Sequence, residues 1–344
     1  MSERVTIVGG GLAGLTLGIG LRQRGVQATV WEAGGYPRHR VCGEFISGDG
    51  QSSLARLGLL DGLRQEGSCS ASNVSFFTGA AQVAKWPLPK AALCISRTVL
   101  DDWLATEFRR LGGELRLGAR WVSECGVGVV RAAGRRAEPV SEGWRLFGLK
   151  VHARGVRLNS DLEIHFVPSG YVGLCRLADG DVNICGLFRS RVTVPDLAQR
   201  WRDWLGGSPG SVLRSRLAVA ECDEDSFCSV AGLSLRPQRA LDRNECCVGD
   251  ALTMIPPVTG NGMSMAFESA ELAIEPLTRF SCGELSWVQA RREIARSCDD
   301  QFSSRLRWAS WVQRGLFQSR TRSGLLFFAS RSEGFWRWLF DRTR

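Results

Sequence analysis

Gly9-Gly10-Gly11-Leu12-Ala13-Gly14 is a G-x-G-x-x-G, and Glu32 stands 18 residues beyond its last glycine. These types at this spacing suit a dinucleotide. Gly9 permits a tight turn, Gly11 lets the backbone approach a pyrophosphate, and Gly14 lets a helix pack closely on a strand. Glu32 is placed to accept hydrogen bonds from a ribose diol. The elements that must position them are legible. Val5–Val8 is a short apolar strand, an apolar-periodic helix runs to Arg24 with Gly25 as C-cap, and Ala28–Trp31 is the next strand. The helix then faces the phosphates with unpaired N–H groups and the positive end of its dipole. Six glycines within Val5–Leu21 and no A-x-A-like site after it argue against a membrane anchor or signal peptide.

A second constellation decides which dinucleotide. Cys246–Ala251 reads as a strand ending in Gly249-Asp250, followed by the loop Met254–Gly262 and a helix over Met263–Leu277. A nicotinamide dehydrogenase needs only the first motif, whereas FAD also needs groups for its ribityl chain and flavin. Asp250 suits a ribityl hydroxyl, and Gly260 and Gly262 let backbone N–H groups come close. A helix starting near Met263 aims its positive end at the N1/C2=O edge of a flavin.

The totals set bounds. The chain has 344 residues, 44% hydrophobic and 23% charged, room for two or three domains. Net charge is +9, concentrated toward the C-terminus, and no nucleic-acid motif accompanies it. Twelve cysteines are scattered without a C-x-x-C, which suits reduced thiols in a cytoplasmic protein. The three histidines lack metal-ligand spacing, so no metal is expected.

Between the motifs, Ser52–Arg64 reads as one helix. Val74–Phe77, Ala84–Pro87 and Leu93–Ser96 read as short strands, and a helix follows from Arg97. Glu114–Val122 and Gly126–Gly134 are further strands. From Trp144 the pattern becomes strands with short turns: Trp144–Ala153, Leu162–Val167, Tyr171–Leu177 and Val182–Phe188, with an Asp179-Gly180 hairpin signal. Leu197–Leu205 reads as a helix, and the chain is helical, basic and aromatic after Trp287. The expected fold class is α/β: a Rossmann-like FAD-binding domain of the glutathione-reductase type, an inserted antiparallel sheet and a helical C-terminus. Residues 1–75, 90–138 and 235–280 form the nucleotide domain, 76–89 and 139–234 the β-rich substrate domain, and 281–344 the helical region.

Taken in order, Gly9–Gly14, Glu32, Arg40-Val41-Cys42-Gly43-Glu44, Ile95-Ser96-Arg97, Leu100–Leu104, Gly249-Asp250-Ala251 and Pro257-Val258-Thr259-Gly260-Asn261-Gly262 resemble a known superfamily. It comprises the FAD-dependent oxidoreductases that include geranylgeranyl reductases, flavin halogenases and hydroxylases of the p-hydroxybenzoate hydroxylase type. The resemblance covers about residues 1–280. Beside Gly9, Gly11, Ala13 and Gly14, it implies that Glu32 binds the adenosine ribose and Arg97 the pyrophosphate side; Arg38, His39 and Arg40, in the loop after Glu32, by their types suit contacts to phosphate or to the cofactor's rim. Asp250 would hold the ribityl chain, and Pro257, Gly260, Asn261, Gly262 and Met263 would line the flavin. Arg40–Glu44 is most like the reductase branch, where a Cys-Gly pair lies beside the isoalloxazine.

Three departures narrow the reaction. Where hydroxylases carry Asp-Gly before an Arg, this chain has Ala132-Ala133-Gly134-Arg135-Arg136, which puts the usual NADPH contact in doubt. There is no W-x-W-x-I-P halogenase signature and no second Rossmann fingerprint. NADPH or NADH would therefore bind transiently, or a partner protein would deliver electrons.

The catalytic candidates are Cys42, a redox or substrate-contacting thiol or an inert buried one; Glu44, a proton donor if burial raises its pKa; and Tyr171, with His152 and His165 also expected to point inward from the roof over the flavin. The favoured reaction is monooxygenation of a hydrophobic aromatic or polyketide-like molecule. The alternatives are reduction of isoprenoid C=C bonds and flavin binding without turnover. Basic residues interleaved with Trp and Phe after Arg305 suit either a helical cap or peripheral contact with the inner membrane surface.

Overall fold

The computed structural model describes residues 3–138, 140 and 143–344, so the domain boundary expected at 138/139 abuts a residue outside the described set. The first motif builds a five-stranded parallel sheet in the order β13 (Cys246–Cys247), β7 (Val129–Arg131), β1 (Val5–Val8), β2 (Ala28–Trp31), β6 (Glu114–Arg116). The register Val5↔Ala28 to Val8↔Trp31 brings Gly9 and Glu32 to one sheet end. Helix α1 (Leu12–Gln23) is buried from Leu12 through Leu21. Its neighbours include α4 (Arg97–Arg110) and α7 (Gly262–Ser281), so an apolar face all round is what its position requires.

The second sheet has eight strands: β12 (Glu221–Ala231), β8 (Arg145–Arg154), β11 (Val182–Ser190), β10 (Gly170–Arg176), β9 (Leu162–Val167), β4 (Cys69–Thr78), β5 (Ala81–Cys94) and β3 (Phe45–Ile46). It is mixed rather than antiparallel throughout, because β4 pairs with β9 in parallel from Val74↔Leu162 to Thr78↔Phe166. The three short strands expected between 74 and 96 are a single long hairpin. Pro87 and Pro89 lie where the ladder skips from Asn73↔Pro87 to Ala71↔Ala92, a bulge that tolerates a missing donor.

Alternation along β8 separates the two faces of this sheet. Phe147, Leu149, Val151 and Ala153 pack beneath α5 (Trp201–Leu205) and α6 (Val212–Leu217). The other parity carries Leu146, against Val312 and Leu316, Gly148, against Val41, and then Lys150 and His152. That second face turns toward the nucleotide domain.

Other expectations are shortened by glycines. Ser52–Arg64 is two helices, α2 (Asp49–Arg56) and α3 (Leu60–Gln65), parted at Gly58. The strand expected over 114–122 ends at Arg116, two residues before Gly118, and that expected over 126–134 keeps only β7. The helix over 197–205 shrinks to α5, while α6 and β12 had no counterpart in the sequence reading.

The C-terminal region is α8 (Trp287–Phe317), opened by a Ser286/Gln289 capping box, then α9 (Ser319–Arg331) and α10 (Glu333–Arg342). A buried bidentate pair fastens α8 to α7: Arg305 Nη1 and Nη2 donate to Glu268 at 2.7 and 2.9 Å, both residues about 4% exposed. Removing one member strands the other charge in the core. Glu268→Ala is therefore expected to cost about 3–5 kcal/mol of stability, read from the denaturant midpoint; a loss under about 1 kcal/mol would mean that the pair behaves like a surface one.

Candidate flavin site

The first motif is assembled by backbone contact. A Cβ on Gly14 would lie 1.9 Å from the Gly9 carbonyl oxygen, so only glycine lets α1 sit against the turn. A Cβ on Gly11 would meet nothing within 4 Å, so its backbone faces open space. No side chain caps α1 at Gly11. Its first N–H groups are thus left to a ligand or solvent.

Glu32 is buried at the end of β2. Oε2 accepts from Gly10 N at 2.8 Å and Oε1 from Gly34 N at 2.8 Å, and Arg38 donates to both oxygens at 2.6 and 3.0 Å. Burial alone would raise its carboxyl; Arg38 and the two N–H donors outweigh that and bring it from 4.5 down to about 2. Tyr36, from the following loop, donates its hydroxyl to the Gly10 carbonyl, and Arg38 Nη2 donates to the same oxygen at 3.1 Å.

Arg97 opens α4. Its guanidinium makes two bonds to Asp101, at 2.7 and 2.9 Å, and its backbone N donates to Glu44 Oε1 at 2.9 Å. Asp101 is fully buried and also lies 3.9 Å from Arg38 Nε, so one carboxylate aligns both arginines. Arg40 is exposed, and desolvation with the nearby Arg38 lowers its pKa.

The second motif meets the first through Gly249, where a Cβ would lie 2.8 Å from that of Ala13. Asp250 is exposed, yet the protein packed around its carboxyl raises it against the pull of Arg97 and Arg135. Pro257–Thr259 is a 3₁₀ turn, and Gly260 follows at φ +68°, with a Phe45 ring where its Cβ would be. Asn261, 1% exposed, receives Ser47 Oγ at 3.3 Å and donates to the Thr343 carbonyl. α7 then starts at Gly262 and buried Met263 with no side-chain cap, as α1 does.

The predicted proton donor Glu44 is corrected by its partners. It is fully buried at φ +59°, where it accepts from Arg97 N and pairs with His152 Nε2 at 2.6 Å, with Lys150 Nζ 3.7 Å away. Burial pushes the carboxyl up, but His152 and Lys150 more than offset it, so the net shift is downward and Glu44 is held ionised. Cys42 sits between Glu44 and Arg97; its Sγ accepts Glu44 N at 3.5 Å, and burial raises the thiol against the pull of Arg97.

His152 points inward as expected. His165 does not: it lies on the opposite face of the roof, 3.0 Å from Glu163 and stacked on Phe77. Tyr171 turns toward α8, donating to Gln313 Oε1 at 3.3 Å in an apolar cluster with Leu146, Leu187 and Val312, and burial keeps its phenol well above the usual range. Arg38, expected at phosphate or the cofactor's rim, pairs with Glu32 instead, and the roles of Asp101 and Lys150 had no place in the sequence reading. Asp101 was within reach, four residues after Arg97 on one helix; Lys150 announces itself only as a lone cation in an apolar strand.

Open backbone at Gly11 and Gly262, two uncapped helix N-termini and Asp250 near Arg97 fit FAD. The FAD-binding domain family matches residues 2–130. That match covers the part of the chain that carries the first motif and Arg97, and makes it an FAD-binding domain. It is 25% identical to a menaquinone reductase of Mycobacterium tuberculosis over 80% of its own length and 76% of that protein's. It is 24% identical to conditioned medium factor receptor 1 of Dictyostelium discoideum over 78% of its length, spanning 62% of that relative. A p-nitrophenol 4-monooxygenase of Pseudomonas putida shares the fold at TM-score 0.77 and 16% identity, over 99% of this chain and 97% of that one.

The depressed Glu32 carboxyl carries a pH signature. Its folded value lies below its unfolded one, so its stabilisation is present above the unfolded pKa and is lost as pH falls toward the folded one. A drop from 4.5 to about 2 corresponds to about 3 kcal/mol. Glu32→Gln should be less stable than the parent at neutral pH and converge with it near pH 2; a gap constant across that range would contradict the assignment.

Proposed function

We propose that this chain binds FAD and catalyses monooxygenation of a hydrophobic aromatic or polyketide-like small molecule. The observation that carries the reading is that both uncapped helices start close to the Gly249-Asp250 turn: a Cβ on Gly249 would lie 2.8 Å from that of Ala13 in α1 and 4.0 Å from that of Ala266 in α7. Toward the second motif the face of the roof turned to the nucleotide domain is apolar, with Leu146, Phe166, Tyr171 and Leu187 clustered with Met254 and Val258. A site bordering that packed layer would suit an apolar substrate.

When bound, FAD supplies two-electron redox chemistry and, once reduced, oxygen activation. The chain's own residues do the rest. The start of α1, with Arg97 held by Asp101 beside it, would receive the pyrophosphate, and Glu32, fixed by Arg38, would lie at the ribose end. The start of α7 would supply positive potential to the flavin. Tyr171 is held off by Gln313, so it shapes the wall rather than exchanging protons. NADPH or NADH, or an electron-donor protein, would reduce the flavin transiently.

A second reading, C=C reduction of an isoprenoid, is favoured by Cys42-Gly43-Glu44 and by the relative that is a menaquinone reductase. The FAD-loaded protein, reduced without air and then pulsed with oxygen, separates the two. The oxygenase reading expects a spectral transient distinct from reduced and oxidised flavin, and a product about 16 Da heavier. Direct reoxidation, with a product about 2 Da heavier, would replace it with the reductase. Asp250→Ala should weaken FAD binding by about tenfold or more, measured by fluorescence titration.

The C-terminal helices support peripheral contact with an anionic membrane surface. Residues 301–344 carry nine arginines against Glu333 and Asp341, and Phe327, Phe328 and Trp338 are 50, 61 and 39% exposed. Among the described residues no helix is long and apolar enough to cross a membrane. Binding to vesicles containing phosphatidylserine should be strong at low salt and fall as salt rises, with Phe327→Ser/Phe328→Ser weakened; sedimentation of protein and vesicles apart at low salt would refute it.

A further inference from the structure

A cavity of about 200 Å³ lies on the far face of the roof, the one that carries His165. Phe77 of β4 and His165 of β9 are register partners and form one wall, their rings stacked at 4.5 Å and 9°. Val167, Leu213 of α6, Ser211 at the start of that helix and Arg322 of α9 also line it. We propose that this cavity binds a small phenol, a single aromatic ring whose hydroxyl donates to His165 Nδ1. The site is separate from the flavin cleft, and the inference does not depend on the FAD reading.

The lining leaves a buried acceptor open. His165 is 2% exposed, and its Nε2 lies 3.0 Å from Glu163 Oε2. Glu163 is fully buried, receives Asn159 N at 2.6 Å and pairs with Arg216 Nε at 2.9 Å. It acts as an acceptor toward these neighbours, which assigns the ring's proton to Nε2. Burial, with Arg216 acting in the same direction, lowers the imidazole's pKa against the pull of Glu163 and keeps the ring neutral. Nδ1 is then a bare lone pair, and among the described residues nothing donates to it.

The polar groups beside it are already used. Ser211, also buried, donates its hydroxyl to the Ser208 carbonyl at 2.7 Å and accepts Arg214 N at 3.2 Å. Arg322 Nη1 donates to the Val167 carbonyl at 3.0 Å, which ties α9 to the cavity wall.

Size and chemistry choose the ligand. An apolar cavity of about 150 Å³ takes one benzene ring, so about 200 Å³ suits one ring with a small substituent. Phe77, Val167 and Leu213 give that ring apolar contact, and Phe77 an aromatic neighbour. A buried lone pair without a partner costs free energy, which a donor on the ligand recovers. A phenolic hydroxyl supplies that donor without bringing a charge that must lose its water. An anion would set its charge against the same lone pair.

The chain has three histidines, so nitrogen-15 labelling of histidine gives three rings to follow by NMR, and His165→Phe assigns one of them. Phenol added to the purified chain should move the His165 ring nitrogens and leave those of His39 and His152, beside Lys150 and Glu44, in place. Toluene matches phenol in size but has no donor. His165→Phe keeps a ring against Phe77 and should weaken phenol by about fivefold or more, with toluene unchanged. Ser208→Trp alters an exposed residue at the cavity's rim and should weaken both ligands, which keeps the inference open to test should the first variant fold poorly. Shifts confined to His39 or His152 would put phenol in the cleft instead. No shift at millimolar phenol would mean that water alone fills the cavity, and an equal loss of phenol and toluene in His165→Phe would mean that shape, and not Nδ1, selects the ligand. Each of these would overturn the inference.

Discussion

The arrangement of the cleft depends on one carboxylate held against its preference. Glu44 is buried, ionised and at positive φ, and its side-chain contacts come from two distant parts of the chain: the start of α4 through Arg97 N, and β8 through His152 and Lys150. Such a charge is tolerable inside a protein only when paired and hydrogen-bonded. Its pairing therefore fixes the roof over the loop, and the loop over α4. Asn183, whose Nδ2 donates to the Cys42 carbonyl at 2.9 Å, and Gly148, which admits Val41, reinforce the same seam.

Much of the nucleotide fold was legible because its determinants are local. The G-x-G-x-x-G, its flanking strands and Glu32 lie within 28 residues, and the structure keeps every one of those elements. The second sheet was less so. β4 and β5 owe their length to pairing with β9 and to a bulge that accommodates two prolines, and neither shows in a local window. β12 alternates weakly because its charged residues 221 and 223–225 stand at a sheet edge. Glu44 is the sharpest case. Its sequence left open a proton donor raised by burial or a solvated carboxylate; burial does push the carboxyl up, but the partners that reverse the sign sit 106 and 108 residues further on.

Residue parity in the roof explains why three candidates met different fates. His152 shares its face of β8 with Lys150 and reaches Glu44. His165 falls on the other parity of β9, beside Glu163 and Arg216. A one-residue slip would exchange these environments, so register rather than residue type decides which histidine can act. Tyr171 is on the cleft parity of β10, yet it lies at the end of the sheet that α8 covers, and Gln313 takes its hydroxyl.

The C-terminal helices serve two surfaces at once. α8 is pinned through Arg305 and Glu268, and its Val312 and Leu316, with Leu326 of α9 and Leu339 of α10, complete the apolar wall facing Tyr171 and Phe166. On the outside, Phe327 and Phe328 remain exposed among arginines such as Arg331, whose guanidinium lies 4.2 Å from the Phe327 ring. A helix pair apolar on both sides is poorly suited to water alone and well suited to an interface. Under the proposed membrane contact, the wall that lines the substrate side of the cleft and the face that meets lipid belong to the same pair of helices. An apolar substrate dissolved in the bilayer would then reach the cleft past side chains of one element, without crossing the polar surface of the nucleotide domain.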